Sequence, residues 1–137
     1  MPVDWVVSAV ERFGFARGQL VREIGCADDA DREVRGRVEA ITGRSLTGSG
    51  GHRCPDGLLV WLRAGEGDPV QVLLGCGEAM TARSRLWVLT PKVDRPGHLD
   101  PLAVVDAAGR AGLHRVGRVD VFDDWNATGL RLFRGQR

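Results

Sequence analysis

Arg85-Leu86-Trp87-Val88-Leu89-Thr90-Pro91-Lys92 is the stretch on which the fold of this chain turns. Five consecutive large apolar or β-branched side chains stop abruptly at a proline-stiffened polar corner, and that corner carries the only lysine of the protein. A continuous apolar run of this length, bounded by turn residues, suits a strand covered on both faces. Its carboxyl end opens into polar loop, and in open α/β sheets ligands sit in the crevice at that end.

The same unit stands immediately before it. Gly57-Leu58-Leu59-Val60-Trp61-Leu62-Arg63 is a second apolar run. After the turn Ala64-Gly65-Glu66-Gly67 comes Asp68-Pro69, an N-cap followed by proline in the first helical position. That helix is expected to run through Val70, Leu73, Leu74, Ala79 and Met80. Asp100-Pro101 repeats the start after the loop Val93 to His98. Leu102, Val104, Val105, Ala108 and Ala111 then form an apolar stripe that ends at Gly112.

Upstream, Gln19 to Gly25 reads as a short strand. Asp31 to Thr42 reads as a helix, with Val34, Val38 and Ile41 on one face, acids in its first turn and Gly43 as its stop. Val3 to Phe13 has helical spacing, with Asp4 as N-cap and Gly14 as stop, and is expected to pack as an N-terminal appendage over residues 1–14 with Trp5 and Phe13 in the core. Residues 47–56, which include Thr47-Gly48-Ser49-Gly50-Gly51, read as a flexible loop. Downstream, His114 to Phe122 and Thr128 to Phe133 alternate as paired strands, with Asp123-Asp124-Trp125-Asn126 as the hairpin loop. Strands alternating with helices imply βαβ units. The expected fold is therefore one α/β domain over residues 1–137, a small three-layer Rossmann-like sheet, mostly parallel, with a C-terminal antiparallel hairpin and an N-terminal helix.

Composition narrows the function. The 137 residues carry a net charge of +1, which argues against a generally basic nucleic-acid binder. No apolar run reaches the roughly 18–20 residues of a membrane span, and the amino terminus lacks the pattern of a secretory signal. A cytoplasmic protein is expected. Cys26, Cys54 and Cys76 are odd in number and widely spaced, so they predict neither a disulfide framework nor a metal motif, and buried or half-buried thiols are the simplest reading. His52 and Cys54 do not by themselves make a zinc site. No hydrolase elbow, Walker loop or HExxH motif is present.

The candidate pocket is assembled from strand ends: Arg63 after one central strand, Thr90 and Lys92 after the next, His98 in the following loop and Trp125 in the hairpin. Arg63 and Lys92 suit an anionic ligand, and the helix starts at Asp68 and Asp100 face the same side. His98 is read either as an acid–base group or as a loop histidine bonded to backbone. Trp61 and Trp87 are read as core.

From Gln19 onward the sequence resembles a family of small actinobacterial proteins known as domain of unknown function 3052. Gly18 to Gly25, Leu58 to Arg63, Gly67-Asp68, Leu86 to Lys92, Arg95-Pro96-Gly97-His98, Ala107-Ala108, Ala111-Gly112-Leu113, Trp125 and Leu130-Arg131-Leu132 carry the resemblance, which implies kinship and no activity. Typical members are acidic before the Leu58 strand, whereas Gly48 to Cys54 here is glycine-rich with His52 and Arg53. That departure suits a specialised copy, such as an accessory to a biosynthetic pathway. The order of elements from Leu58 to Phe133 is also similar to the second half of a class I methyltransferase. In that fold the first strand ends in a multi-glycine turn that cradles S-adenosylmethionine. Glu23-Ile24-Gly25-Cys26-Ala27 keeps only the first glycine, and Gly43 to Leu58 is too short for the strands that would hold the adenosine. The resemblance therefore implies no cofactor and no metal. Two readings follow: a non-catalytic binding or regulatory module for a small anionic ligand or a protein partner, a second copy of the chain included, or a small pathway enzyme acting on an anionic or carbonyl-bearing metabolite through Lys92 and His98.

Overall fold

The computed structural model describes residues 8–48, 54–120 and 122–133. Five strands form one sheet in the order β1-β2-β3-β5-β4: β1 (Val21–Ile24), β2 (Gly57–Trp61), β3 (Arg85–Pro91), β4 (Leu113–Val119) and β5 (Trp125–Leu132). β1, β2 and β3 are parallel, with Glu23 opposite Leu59 and Leu59 opposite Trp87. β5 runs antiparallel between β3 and β4, pairing Pro91 with Trp125 and Leu86 with Leu130. The opening stretch is thus the central strand. Its apolar continuity follows from helices on both faces, which leave no solvent side for polar residues to alternate toward.

Three helices complete the layers: α1 (Arg32–Thr42), α2 (Pro69–Glu78) and α3 (Pro101–Arg110). α2 and α3 start at the Asp-Pro pairs as the sequence predicts, and Asp31, read as the first helical residue, caps α1 instead. Asp31, Asp68 and Asp100 are extended N-caps whose carboxylates accept backbone N–H groups of the first turn, satisfying donors that the helix cannot. Gly43 ends α1 in the left-handed conformation. One face of the sheet buries Leu58, Val60, Leu86, Val88 and Leu130 against Leu73 and Cys76 of α2 and Val104, Ala107 and Ala108 of α3. The other buries Leu59, Trp61, Trp87, Leu89 and Ala127 against Val34 and Val38 of α1. The result is a three-layer α/β fold, as expected.

The segment expected as an N-terminal appendage contributes Ala9, Val10 and Phe13 to that second core. Phe13 stacks on Trp87 at 4.5 Å between ring centroids, and Trp87 Nε1–H donates to the Phe13 carbonyl at 2.8 Å. The indole lies flat against β5 because Gly129 has no Cβ, which would stand 2.7 Å from the ring. Phe13 is core, as read from sequence. Asp4 and Trp5 lie outside the described residues, as do Ser49, Gly50, Gly51, His52 and Arg53 of the glycine-rich stretch.

Two expectations are corrected. Trp125 and Asn126 belong to β5 and not to the hairpin loop. Trp125 takes a place in the ladder opposite Pro91 and buries its ring, so only its sequence neighbours carry the loop's polarity. Of the three thiols only Cys76 is buried, whereas Cys26 and Cys54 are exposed on loops. Burial pushes the Cys76 thiol up to about 11, because the thiolate is the form that loses its hydration.

Candidate functional site

The carboxyl ends of β1, β2 and β3 converge where the sequence places the crevice, and Arg63 stands at their centre. It follows β2 by two residues and is only 7% exposed. Its Nη1 donates to the carbonyl of Gly25 at 2.9 Å and to that of Trp61 at 3.3 Å, closing the ends of β1 and β2. Its Nε and Nη2 form a two-pronged pair with the Asp29 carboxylate, at 2.9 and 2.5 Å. Glu66 adds a further contact at 3.2 Å. The hydrogen bond from Arg63 holds the Asp29 carboxyl below its ordinary value, and the same bond raises Arg63. The guanidinium that the sequence offers to an anionic ligand thus engages Asp29, Glu66 and two backbone carbonyls of the protein itself.

Aromatic side chains wall this knot. Trp125 lies under the guanidinium, 5.3 Å from ring centroid to Cζ, a cation–π arrangement. It meets Trp61 edge to face at 4.9 Å and donates its indole N–H to the Asp29 carbonyl at 3.2 Å. Trp61 in turn donates to Glu23 at 2.8 Å, and Glu23 accepts two bonds from Arg35 of α1, at 2.7 and 2.8 Å. Glu23 is a strand carboxylate with only 7% of its side chain exposed, and these partners satisfy it. Asp29, Glu23 and Arg35 were not singled out from sequence. The available signal was a charged residue at an inward-facing strand position, Glu23, but its partner lies on another element and has no fixed spacing.

Outside the knot lies an open cavity of about 200 Å³ lined by Asp29, Pro91, Arg95, Pro96, Asp124 and Trp125. Arg95 and Asp124 form an ion pair across it. Lys92 and His98 hang on the same β3–α3 loop, but both are tied to backbone. Lys92 Nζ donates to the Asp120 carbonyl at 3.0 Å. His98 Nδ1 meets the Pro91 carbonyl at 2.9 Å, and since a carbonyl only accepts, that nitrogen carries the hydrogen. The second of the two readings of His98 is therefore the one the geometry takes. Thr90 is fully buried on the α3 face with its hydroxyl unpartnered, away from the mouth. Of the five sequence candidates, Arg63 and Trp125 touch each other, Lys92 and His98 frame the adjoining loop, and Thr90 does not join them. No cluster of three or more His, Cys, Asp or Glu side chains able to hold a metal ion occurs among the described residues. No described helix is long and apolar enough to cross a membrane.

Residues 10–134 match the family described as "Protein of unknown function (DUF3052)". Uncharacterized proteins of Mycobacterium bovis and Mycobacterium tuberculosis are each 32% identical over 127 residues, covering 93% of this chain and 80% of theirs. Among solved structures, a SAM-dependent methyltransferase from Aquifex aeolicus superposes with a TM-score of 0.64 at 11% identity, covering 93% of this chain and 89% of that one. An N,N-8-amino-8-demethyl-D-riboflavin dimethyltransferase from Streptomyces davawensis gives 0.66 at 14% identity, covering 95% of this chain and 53% of that one. The chain spans about half the length of the latter. At these identities the likeness is one of fold: a methyltransferase-like, Rossmann-type sheet.

Proposed function

The chain belongs to the DUF3052 family of proteins of unknown function, and from that premise we propose that it is a non-catalytic binding or regulatory module built on a methyltransferase-like sheet. The observation that carries this reading is the Arg63 knot. In the methyltransferase fold the turn after the first strand must let backbone approach the cofactor closely. Here that turn, Gly25 to Ala30, is clamped through Gly25 and Asp29 onto a buried guanidinium. A Cβ at Gly25 would stand 2.4 Å from the Trp61 carbonyl, so the turn is packed against β2 with no space between them. The outer edge of β1, where further strands would hold an adenosine, carries a single bridge from Arg22 to Thr47 among the described residues. These residues do not fit S-adenosylmethionine in the usual mode.

The pathway-enzyme reading has no comparable support, because Lys92 and His98 each engage a backbone carbonyl. The module reading leaves the mixed-charge cavity at Asp29, Arg95 and Asp124 as the place where a partner or ligand would dock.

Thermal denaturation with and without millimolar S-adenosylmethionine tests the proposal, since binding to the native state alone must raise the melting temperature. No shift is expected. A concentration-dependent rise, or methyl transfer to any acceptor, would overturn it. Lys92→Ala and His98→Ala are expected to complement a deletion strain fully, and loss of complementation by folded variants would return the enzyme reading.

A further inference from the structure

A second pocket lies on the Trp87 face, away from the crevice mouth, between the amino end of β3, the second half of β4 and the turn after the N-terminal segment. Its volume is about 260 Å³, and Arg12, Arg85, Trp87, Val116, Gly117, Arg118 and Val119 line it. Among the described lining residues three are arginines and none is acidic, in a chain whose net charge is only +1. We infer that this pocket binds the phosphoryl group of a small phosphorylated metabolite.

The case rests on three cations brought together with, among the described residues, a single exposed counter-charge, Asp120. Arg85 is half-buried at the start of β3, and Gly14 lies directly over its guanidinium. A Cβ at Gly14 would come within 3.0 Å of Cζ, Nε and Nη1, so the backbone there leaves the head group just enough room. Among the described residues neither the Arg12 nor the Arg85 guanidinium has a hydrogen-bond or ion-pair partner, their backbone N–H groups donating to the Ala9 and Asp56 carbonyls. Arg118 has one, Asp120, at 3.4 Å, in a pair whose two side chains are 42% and 52% exposed. Such a surface pair is weak and yields readily to a dianion. Like charges gathered in one pocket repel, and an anion that bridges them removes that repulsion. Planar guanidinium forks match the oxygens of a phosphoryl group.

The remaining wall says what else enters. Trp87, Val116 and Val119 are apolar, and Gly117, at the bulge of β4, lets the indole edge reach the pocket, a Cβ there standing 3.3 Å from Cη2. The volume is roughly that of eight or nine liquid waters, more than an inorganic phosphate fills. It suits a phosphate ester with a few carbon atoms. This site is independent of the reading of the crevice.

Titration calorimetry on the full chain tests it, with inorganic phosphate and glycerol 3-phosphate as probes at matched ionic strength, and chloride as the control. Saturable binding of both is expected, tighter for the ester; equal affinities would assign the site to free phosphate. Arg85→Gln and Arg12→Gln, each checked for folding by circular dichroism, are each expected to weaken binding at least about tenfold, the scale of one lost charge-assisted bond. Arg83→Gln, an exposed arginine outside the lining, is expected to bind as wild type. Absence of saturable binding by either probe, or wild-type affinity in both pocket variants, would overturn the proposal.

Discussion

Arg63 and Asp29, 34 residues apart in sequence, meet through two parallel N–H···O bonds over the carboxyl ends of β1 and β2. The two partners do not contribute equally. Arg63 is buried and also satisfies the Gly25 and Trp61 carbonyls, whereas half of the Asp29 side chain is in water. Arg63→Met is expected to cost about 2–4 kcal/mol, because it strands buried acceptors. Asp29→Asn is expected to cost less than about 1 kcal/mol, since solvent screens an exposed partner. Urea midpoints of the two variants decide the matter, and equal losses would show that the guanidinium is not the brace.

The same pair predicts how stability responds to acid. Arg63 lowers the folded Asp29 carboxyl below the ordinary 3.8, so the unfolded chain takes up its proton first. The pair's contribution is therefore complete above that ordinary value and is lost as the pH falls through the depressed one. The stability gap between wild type and Asp29→Asn should stay constant from neutral pH to about 5 and close below 3.8. A gap that closes near neutral pH would assign the effect to another group.

Glu23 holds Arg35 and the Trp61 indole at once, so removing it leaves a guanidinium and a buried N–H without an acceptor. Glu23→Ala is expected to destabilise by about 3 kcal/mol. A double-mutant cycle of Glu23→Gln with Trp61→Phe should return a coupling of about 1 kcal/mol, since the two share one bond. Additive losses would mean that the bond contributes nothing.

Gly25 and Gly18 separate steric contact from backbone strain. Both have positive φ, +79° and +87°, but a Cβ on Gly25 meets the Trp61 carbonyl while one on Gly18 meets nothing within 4 Å. Gly18→Ala should cost about 1 kcal/mol, the strain of a left-handed alanine. Gly25→Ala should cost at least about twice that, as the turn must also move off β2. Thermal melts of the two variants give the comparison.

Thiol titration reads the cysteine environments directly. Cys26 and Cys54 are exposed and should react readily with an aromatic disulfide reagent, Cys26 the more slowly because desolvation and the Glu23 carboxylate push its thiol up. Cys76, buried and held up to about 11, should react only at the rate at which the native state opens. Fast labelling of all three in native protein would contradict the packing of α2.

The limits of legibility follow from the range of the interactions. The N-caps Asp68 and Asp100 were readable because a cap and the proline that follows it are adjacent in the chain. The apolar runs of β2 and β3 were readable because burial on both faces removes alternation. Trp125 was misplaced because its local surroundings are polar, and only its pairing with Pro91 and its contact with Trp61 draw it into the sheet. Arg63 was recognised as a strand-end residue but its pairing with Asp29 was not, since nothing near it in sequence announces that partner.

The sequence by itself determined the element order, the helix starts at Asp68 and Asp100, the central strand and the erosion of the glycine turn, all consequences of short-range backbone chemistry and local periodicity. Tertiary structure alone decided what the strand ends do. Charge pairing is set by distances in space, and folding brought Arg63 to Asp29, Glu23 to Arg35 and three arginines to one pocket. Of the corner Thr90-Pro91-Lys92, Pro91 lines the open cavity beside Asp29 and Trp125, and Thr90 is buried behind it. The floor of that crevice is closed by an arginine from the neighbouring strand.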